Sequence, residues 1–370
     1  MDSITVNKGI KRDVDKSNAK INISVIKSEK PEITIVFPPV LDWYLLYQRP
    51  QQLATAFSKI DNVRCIYISN EMYKKLNEPI LKVNDDLFVV RVNTDYSQLV
   101  KGKKVLWFSY PKHYKYSRTG FDFVVFDGVD MPVDEFSLWA VDLQKAIDCA
   151  NIIACTAELL YKLYKKYNKP VFMCANAADY EHFKIAQKKL PKPKDFPMIN
   201  SNEKVIGFYG ALASWLDYKL ISKIADRYKV ILIGKNRYYK KIIEHPNLTI
   251  LEHKDYSQLP YYLSNFDLAM IPFKLTNMIK GCDPIKYYEF ISAGKPVIST
   301  EIYEIKRKYS NITYFMNYYN CYQIIERAII EDCSSKRLER IRVAKENTWN
   351  TRAKKAYDEI IKYLFKIDNY

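Results

Sequence analysis

Asp283-Pro-Ile-Lys-Tyr-Tyr-Glu-Phe-Ile-Ser-Ala-Gly-Lys-Pro-Val-Ile-Ser-Thr300 is the stretch on which the reading of this chain turns. Pro284 suits the first turn of a helix, where its missing N–H costs nothing. Gly294 and Pro296 suit the end of that helix and the entry into a following strand, Pro296–Ser299. A helix start leaves backbone N–H groups free at the positive end of the dipole, which favours a phosphate. Lys286 in the first turn opposes that dipole, so helix stability does not explain it. Glu289, three residues on, shares its face, and a carboxylate there suits ribose hydroxyls. The same spacing also describes an exposed Lys–Glu surface pair, and spacing alone leaves both open.

Around this helix, β-branched and aromatic runs alternate with helical stretches. Val205–Tyr209, Val230–Ile233, Leu248–Leu251 and Leu268–Ile271 read as strands. Tyr218–Arg227, Tyr238–Ile243, Tyr256–Ser264 and Pro284–Ala293 have helical spacing, and the chain from about Asn320 onward reads as helical. Upstream, Leu190–Pro197 (LPKPKDFP) holds three prolines and sustains neither helix nor ladder. Before it the alternation repeats: strands Ile33–Phe37, Val63–Ile68, Leu87–Val92, Val105–Ser109, Phe123–Asp127, Ile152–Thr156 and Val171–Cys174, with helices Gln51–Ser58, Leu138–Ala150 and Ala157–Tyr167. Buried apolar strands alternating with helices imply parallel sheets covered on both faces. The expected organisation is α/β: two Rossmann-like, doubly wound domains, residues 31–192 and 198–345, joined by a linker at 193–197 and facing a cleft. Residues 346–370 are expected to form a C-terminal helix returning to the N-terminal domain.

Composition narrows the classes. The 370 residues suffice for two domains. Residues 1–30 are polar and lack a sustained apolar run, which reads as a flexible arm. There is no run of about 18 apolar residues and no signal-peptide order. Seven scattered cysteines without a CxxC pair, and four histidines without ligand spacing, argue for free thiols and against a metal site. A cytoplasmic, metal-independent protein is expected. The net charge of +16 is spread over both halves. It fits a lysine-rich surface, or attraction to phosphate-bearing substrates or an anionic membrane face.

The 283–300 run resembles the nucleotide-sugar signature D-P-x-K-x-x-E-[FY]-x-x-x-G-x-P-V of GT-B glycosyltransferases. Ile206-Gly-Phe-Tyr-Gly-Ala-Leu-Ala-Ser-Trp-Leu-Asp217 is similar to the first strand and glycine turn of their donor domain. Tyr256–Phe273 resembles the stretch before the signature helix. Asp42-Trp-Tyr-Leu-Leu-Tyr-Gln-Arg-Pro-Gln-Gln-Leu-Ala54 is similar to the W-x-x-x-x-Q-R-P-x-x-L-A opening of bacterial cell-surface polysaccharide transferases of the teichuronic-acid type. Cys174-Ala-Asn-Ala-Ala-Asp-Tyr-Glu-His-Phe183 resembles the segment closing their N-terminal domain, and Trp349 and Arg352 match a W-x-x-R ending that anchors the last helix. The likeness runs from about residue 33 to 352. Departures exist: Gly281 stands where many retaining members carry an acid, Ala177 replaces a glycine, and Leu251-Glu-His253 replaces a strand followed by glycine. Whether transfer retains or inverts the anomeric configuration is left open.

The resemblance implies a nucleotide diphosphate sugar as donor, with UDP as the expected nucleotide, and a glycan or lipid-linked glycan as acceptor. Asp283, Lys286, Tyr288 and Glu289 would meet the donor; Gly210 would let it approach the backbone, unless it serves only a tight turn. Lys235 and Arg237 after the second strand of this half would clamp the diphosphate. Across the cleft, Asp127 and Asp130 end a strand, and Asp42 follows another; each is a candidate base or a loop cap. Arg49 at the start of the first helix would meet a pyrophosphate or serve a structural role. Lys112 and His113 follow a further strand and would line the acceptor channel. A peripheral position on the inner membrane face follows from the charge and a lipid-linked acceptor. The alternatives are a nucleotide-sugar epimerase on the same scaffold, a nucleic-acid-binding protein, or a non-catalytic partner-binding protein. Diffuse basic residues argue against nucleic acid, and the absence of GxGxxG after a strand argues against a nicotinamide oxidoreductase.

Overall fold

A computed structural model describes residues 32–72, 74–236 and 244–367. The expected arm at 1–30, the helix at 238–243 and Arg237 lie outside the described residues.

Fourteen strands are described: β1 Ile33–Phe37, β2 Val63–Ser69, β3 Ile80–Asn84, β4 Leu87–Arg91, β5 Lys103–Phe108, β6 Phe123–Gly128, β7 Ile152–Cys155, β8 Val171–Met173, β9 Val205–Tyr209, β10 Lys229–Ile233, β11 Leu248–Leu251, β12 Leu268–Ile271, β13 Val297–Ser299 and β14 Thr313–Phe315. The helices are α1 Arg49–Phe57, α2 Ala140–Cys149, α3 Glu158–Tyr164, α4 Tyr180–Phe183, α5 Tyr218–Ala225, α6 Leu259–Ser264, α7 Asn277–Lys280, α8 Ile285–Ser292, α9 Tyr303–Tyr309, α10 Cys321–Ile330, α11 Ser334–Glu346 and α12 Trp349–Ile367.

The strands form two sheets, ordered β3-β4-β2-β1-β5-β6-β7-β8 and β11-β10-β9-β12-β13-β14. Every pairing is parallel except β3 with β4. Leaving out β3, both sheets run outward from a central first strand in the doubly wound order. The order reverses between β1 and β5 and between β9 and β12, where such sheets open a crevice at their carboxyl ends. β1 and β9 are buried along their whole length, as uninterrupted apolar runs in a covered parallel sheet should be. β3 was not expected from the sequence. Its side chains are mostly exposed, so it carries no buried apolar run to betray it.

The first sheet's core is aromatic: Phe37, Phe57 and Trp107 lie 5.4 to 6.4 Å apart by ring centroids. Trp349, Ala353, Ala356, Tyr357, Ile360 and Leu364 fall on one face of α12 and are buried in that same cluster with Leu53 and Ala56 of α1. Each large side chain so buried contributes roughly 1.5–3 kcal/mol. The chain therefore leaves the first sheet, builds the second, and returns. At the return Ala178 donates to the Asn347 carbonyl and Trp349 donates to that of Ala178, both at 3.3 Å. Arg352 Nε donates to the Ala175 carbonyl at 3.1 Å. No helix among the described residues is long and apolar enough to cross a membrane.

Candidate functional site

A cavity of about 1170 Å³ opens between the carboxyl ends of the two sheets. On the second sheet's side it is walled by Tyr209 and Gly210 after β9, Gly234 after β10, His253 to Ser257, and Pro284 to Lys286. Gly210 and Gly234 both have φ +153. A Cβ on Gly234 would stand 1.8 Å from the Gly210 carbonyl oxygen, so the two turns nest only because Gly234 has no side chain. Pro284 is the N-cap of α8 rather than a residue of its first turn. Pro284, Ile285 and Lys286 at this helix start all line the cavity, and the first N–H groups of a helix lack intrahelical partners.

Lys286 lines the cavity with its Nζ 3.0 and 3.2 Å from the two oxygens of Glu289 and 5.0 Å from the Tyr209 ring centre. The Glu289 carboxylate is buried and does not itself line the cavity. Lys286 covers it.

Several expected donor contacts are corrected by the geometry. Asp283 lines the cavity as expected, while its Oδ2 accepts the Asn176 N–H at 2.7 Å and its Oδ1 accepts the Tyr288 hydroxyl at 2.9 Å. Tyr288 is fully buried and its hydroxyl serves Asp283, not the cavity. Lys235 follows β10 but its side chain is not among those lining the cavity.

On the first sheet's side the corrections run the same way. Asp127 is gripped by Arg49 through two bonds of 2.7 and 2.8 Å and by Trp107 Nε1 at 3.0 Å. It is 2 % exposed and Arg49 4 %. Both line the cavity, and there each is the other's ion-pair partner. Burial works against the Arg49 charge, but Asp127 and Cys174 together outweigh it and raise its pKa. Arg49 also donates to Asn176 Oδ1 at 3.1 Å, tying α1 to the segment between the halves. Asp42 receives the backbone N–H groups of Met72 and Lys74, both at 2.9 Å, and is a loop cap. Lys112 is exposed and does not line the cavity.

Asp130 differs. It lies two residues past β6, lines the cavity, and has no hydrogen bond or ion pair among the described residues. Burial raises its pKa from 3.8 to about 6; Arg49 opposes the shift and Asp127 adds to it. His113 lines the same wall between the rings of Tyr110 and Tyr116, at 5.2 and 5.6 Å. Burial, with Lys112 adding, lowers its pKa to about 4, so it is neutral at pH 7.

Sequence reasoning missed the rest of the wall. Trp43, Tyr47, Phe136, Trp139 and Trp215 make it aromatic. Tyr256 joins the halves, its ring 4.8 Å from that of Tyr47 and its hydroxyl receiving Gln52 Nε2 at 2.7 Å. Glu135 accepts the Ser214 hydroxyl, and Asp134 accepts the Met278 N–H at 2.9 Å, across the other side. Aromatic residues at loop positions give no periodic signal; the W-x-x-x-x-Q-R-P opening, the 206–217 run and the 256–273 stretch contain Trp43, Tyr47, Trp215 and Tyr256, and no motif contains Phe136 or Trp139.

No family model matches the chain. It is 25% identical over 171 residues to the putative teichuronic acid biosynthesis glycosyltransferase TuaH of Bacillus subtilis (strain 168), a match covering 43% of this chain and 42% of that protein. The chain is thus matched over less than half the length of this curated relative. Among solved structures, it is similar to an apo structure of OtsA (TM-score 0.65, 10% identity, 89% of this chain and 99% of that one). Sucrose-phosphate synthase from Thermosynechococcus elongatus gives a TM-score of 0.65 at 11% identity, over 91% and 100%. The E. coli trehalose-6-phosphate structure bound with UDP-2-fluoro glucose gives 0.62 at 10% identity, over 89% and 99%. At such identities the likeness concerns the fold, and the fold is the GT-B arrangement of two Rossmann-like sheets.

Proposed function

We propose that this chain is a glycosyltransferase that moves a sugar from a nucleotide diphosphate sugar, with UDP as the nucleotide, to a glycan or lipid-linked glycan acceptor in cell-surface polysaccharide synthesis. The observation that carries this reading is one cavity with a cation at a helix start on one wall and an unpaired carboxylate on the other: Lys286 and Asp130. The GT-B fold and the partial match to a teichuronic acid glycosyltransferase support it.

In this reading the diphosphate draws Lys286 off Glu289 and lies against the first N–H groups of α8. Glu289, uncovered, then accepts ribose hydroxyls. Gly210 lets the donor pass close to the backbone. Asp130 takes the proton of the acceptor hydroxyl as that oxygen attacks the anomeric carbon. The bond from that carbon to the diphosphate oxygen breaks, and the departing charge forms opposite Lys286. Attack from the wall opposite the nucleotide makes the transfer inverting. His113, neutral and set among tyrosines, orients the acceptor. Metal is not required by this set of groups, since a lysine and a helix start face the leaving diphosphate. The protein works in the cytoplasm, held by its positive charge against the anionic inner face of a membrane.

The test is calorimetric titration with UDP and other nucleoside diphosphates, followed by UDP release from candidate UDP-sugars with and without a glycan acceptor. Binding of UDP and acceptor-dependent release are expected. A chain that binds no nucleoside diphosphate would not be a nucleotide-sugar transferase.

A further inference from the structure

At a wall of the cavity that includes Asn176 and Asp283, the two halves meet in a buried polar seam. Two carboxylates of the second half reach across it, and each accepts a backbone N–H of the first. Asp283 takes that of Asn176, and Glu304 on α9 takes that of Glu158. Glu158 opens α3, whose N-cap residue Ala157 has no side-chain oxygen to offer. Glu304 therefore caps α3 from the opposite half.

Both carboxylates are buried, Asp283 at 3 % exposure and Glu304 at 0 %. Such charges persist away from water only beside a cation. Lys308, also on α9, supplies one to both: its Nζ lies 2.8 Å from Glu304 and 3.7 Å from Asp283. Arg307 reaches Glu304 at 3.1 Å but makes no ion pair with Asp283. Among the described residues, Lys308 alone pairs with both. Burial pushes Asp283 up and Lys308 draws it back. For Glu304, burial pushes the pKa up, but Lys308, the Glu158 N–H and Arg307 together bring it below the usual range.

We infer that Lys308 is a positioning residue: by neutralising Asp283 and Glu304 together it holds the two halves closed around the cavity. Asp283 directly precedes Pro284, the N-cap of α8, so its grip on Asn176 sets the start of α8 against the first half. Asn176 in turn holds Arg49, which holds Asp127 at the end of β6, two residues before the loop that presents Asp130. The seam thus sets the two walls of the cavity against each other. The consequence for transfer rests on the function proposed above; closure itself is read without any activity.

The test uses the full chain and the variants Lys308→Met and Lys308→Arg, each followed by small-angle X-ray scattering, UDP calorimetry and steady-state transfer. Lys308→Met should have a larger radius of gyration than the wild type and unchanged UDP affinity, because the nucleotide touches the second half alone. Its kcat should fall about 10²-fold, the cost of misplacing reacting groups by about an ångström. Lys308→Arg should recover both the closed radius and kcat. A Lys308→Met protein with the wild-type radius overturns the inference, whatever its activity. If Lys308→Met does not fold, the charge-balanced variant Lys308→Met with Asp283→Asn and Glu304→Gln decides: folded and closed supports neutralisation as the role, and open or unfolded overturns it. A wild-type chain without transfer activity would sink the proposed function and leave the scattering result to stand alone.

Discussion

Met131 fills the place a side chain at position 281 would need: its Cγ lies 2.3 Å from where a Cβ on Gly281 would stand. The two residues come from opposite walls, Met131 next to Asp130 and Gly281 just after α7. Gly281→Ala should cost about 1–3 kcal/mol in urea unfolding, the usual toll of overpacking. Adding Met131→Ala should return most of it. Strictly additive losses in the double variant would show that the residues do not compete for one space.

Asp130→Asn should lower turnover roughly 10²–10⁴-fold while UDP affinity is kept. In the wild type the rate should fall as pH drops through about 6, where this carboxylate takes up its proton. Stability moves the other way. The folded carboxyl holds its proton more tightly than the unfolded one, so stability declines as pH rises from 3.8 to about 6 and the full penalty remains above that. Asp130→Asn should therefore melt higher than wild type at pH 8 and show no such advantage near pH 3.5. An active Asp130→Asn enzyme would pass the role of base to another group.

The Arg49–Asp127 pair should prove structural. Arg49→Met leaves Asp127 buried with only Trp107 to serve it, and should cost about 3–5 kcal/mol in denaturant unfolding. A variant as stable as wild type, but with impaired acceptor KM, would put Arg49 back on the substrate.

For the donor side, Lys286→Ala and Glu289→Ala should each weaken UDP binding by about 1.5–3 kcal/mol, the worth of a hydrogen bond to a charged group. Lys286→Ala should also lower the melting temperature, because it strips the partner from the buried Glu289. Unchanged affinity in both, with the fold intact, would remove the nucleotide from this wall.

Membrane attachment is a separate matter. Flotation with anionic vesicles at low salt should carry the protein up, and neutral vesicles or high salt should not, since each Lys or Arg near an anionic surface contributes about 1 kcal/mol. Equal, salt-independent binding to both vesicle types would contradict electrostatic attachment.

Much of the architecture could be read in advance because parallel strands advertise themselves. β1, β9, β11 and β12 are short apolar runs with turn residues at their ends, and their observed bounds coincide with the expected ones. β3 was hidden because it is an exposed edge, and the 3-10 segments at 111–118 and 134–139 because their residues are largely polar or aromatic without helical spacing. At the site, position after a strand singled out Asp42, Asp127 and Asp130 alike. What separates them is the partner: backbone N–H groups 30 and 32 residues away for Asp42, an arginine 78 residues away for Asp127, and none among the described residues for Asp130. A one-dimensional reading sees the carboxylate and not what it will meet. Asp283 and Tyr288 show the same limit, since the signature that flags them does not say that they satisfy each other.

The hydrogen-bonded return of the chain at Ala178 and Thr348 has a mechanical side. The second sheet is an insertion within the first, attached by two strands of backbone that lie side by side and pair as a short parallel bridge. Two adjacent tethers define an axle. Rotation about it spares the bridge but breaks the bonds of Asp283 and Glu304 across the halves, whereas sliding the halves past each other would shear the bridge and drag α12 from its seat on α1. Nicking the first tether at Ala178 would not release the second sheet, because the other tether remains. Removing the chain beyond 347 would be different in kind: without α12, Leu53 and Ala56 of α1 lose their apolar cover.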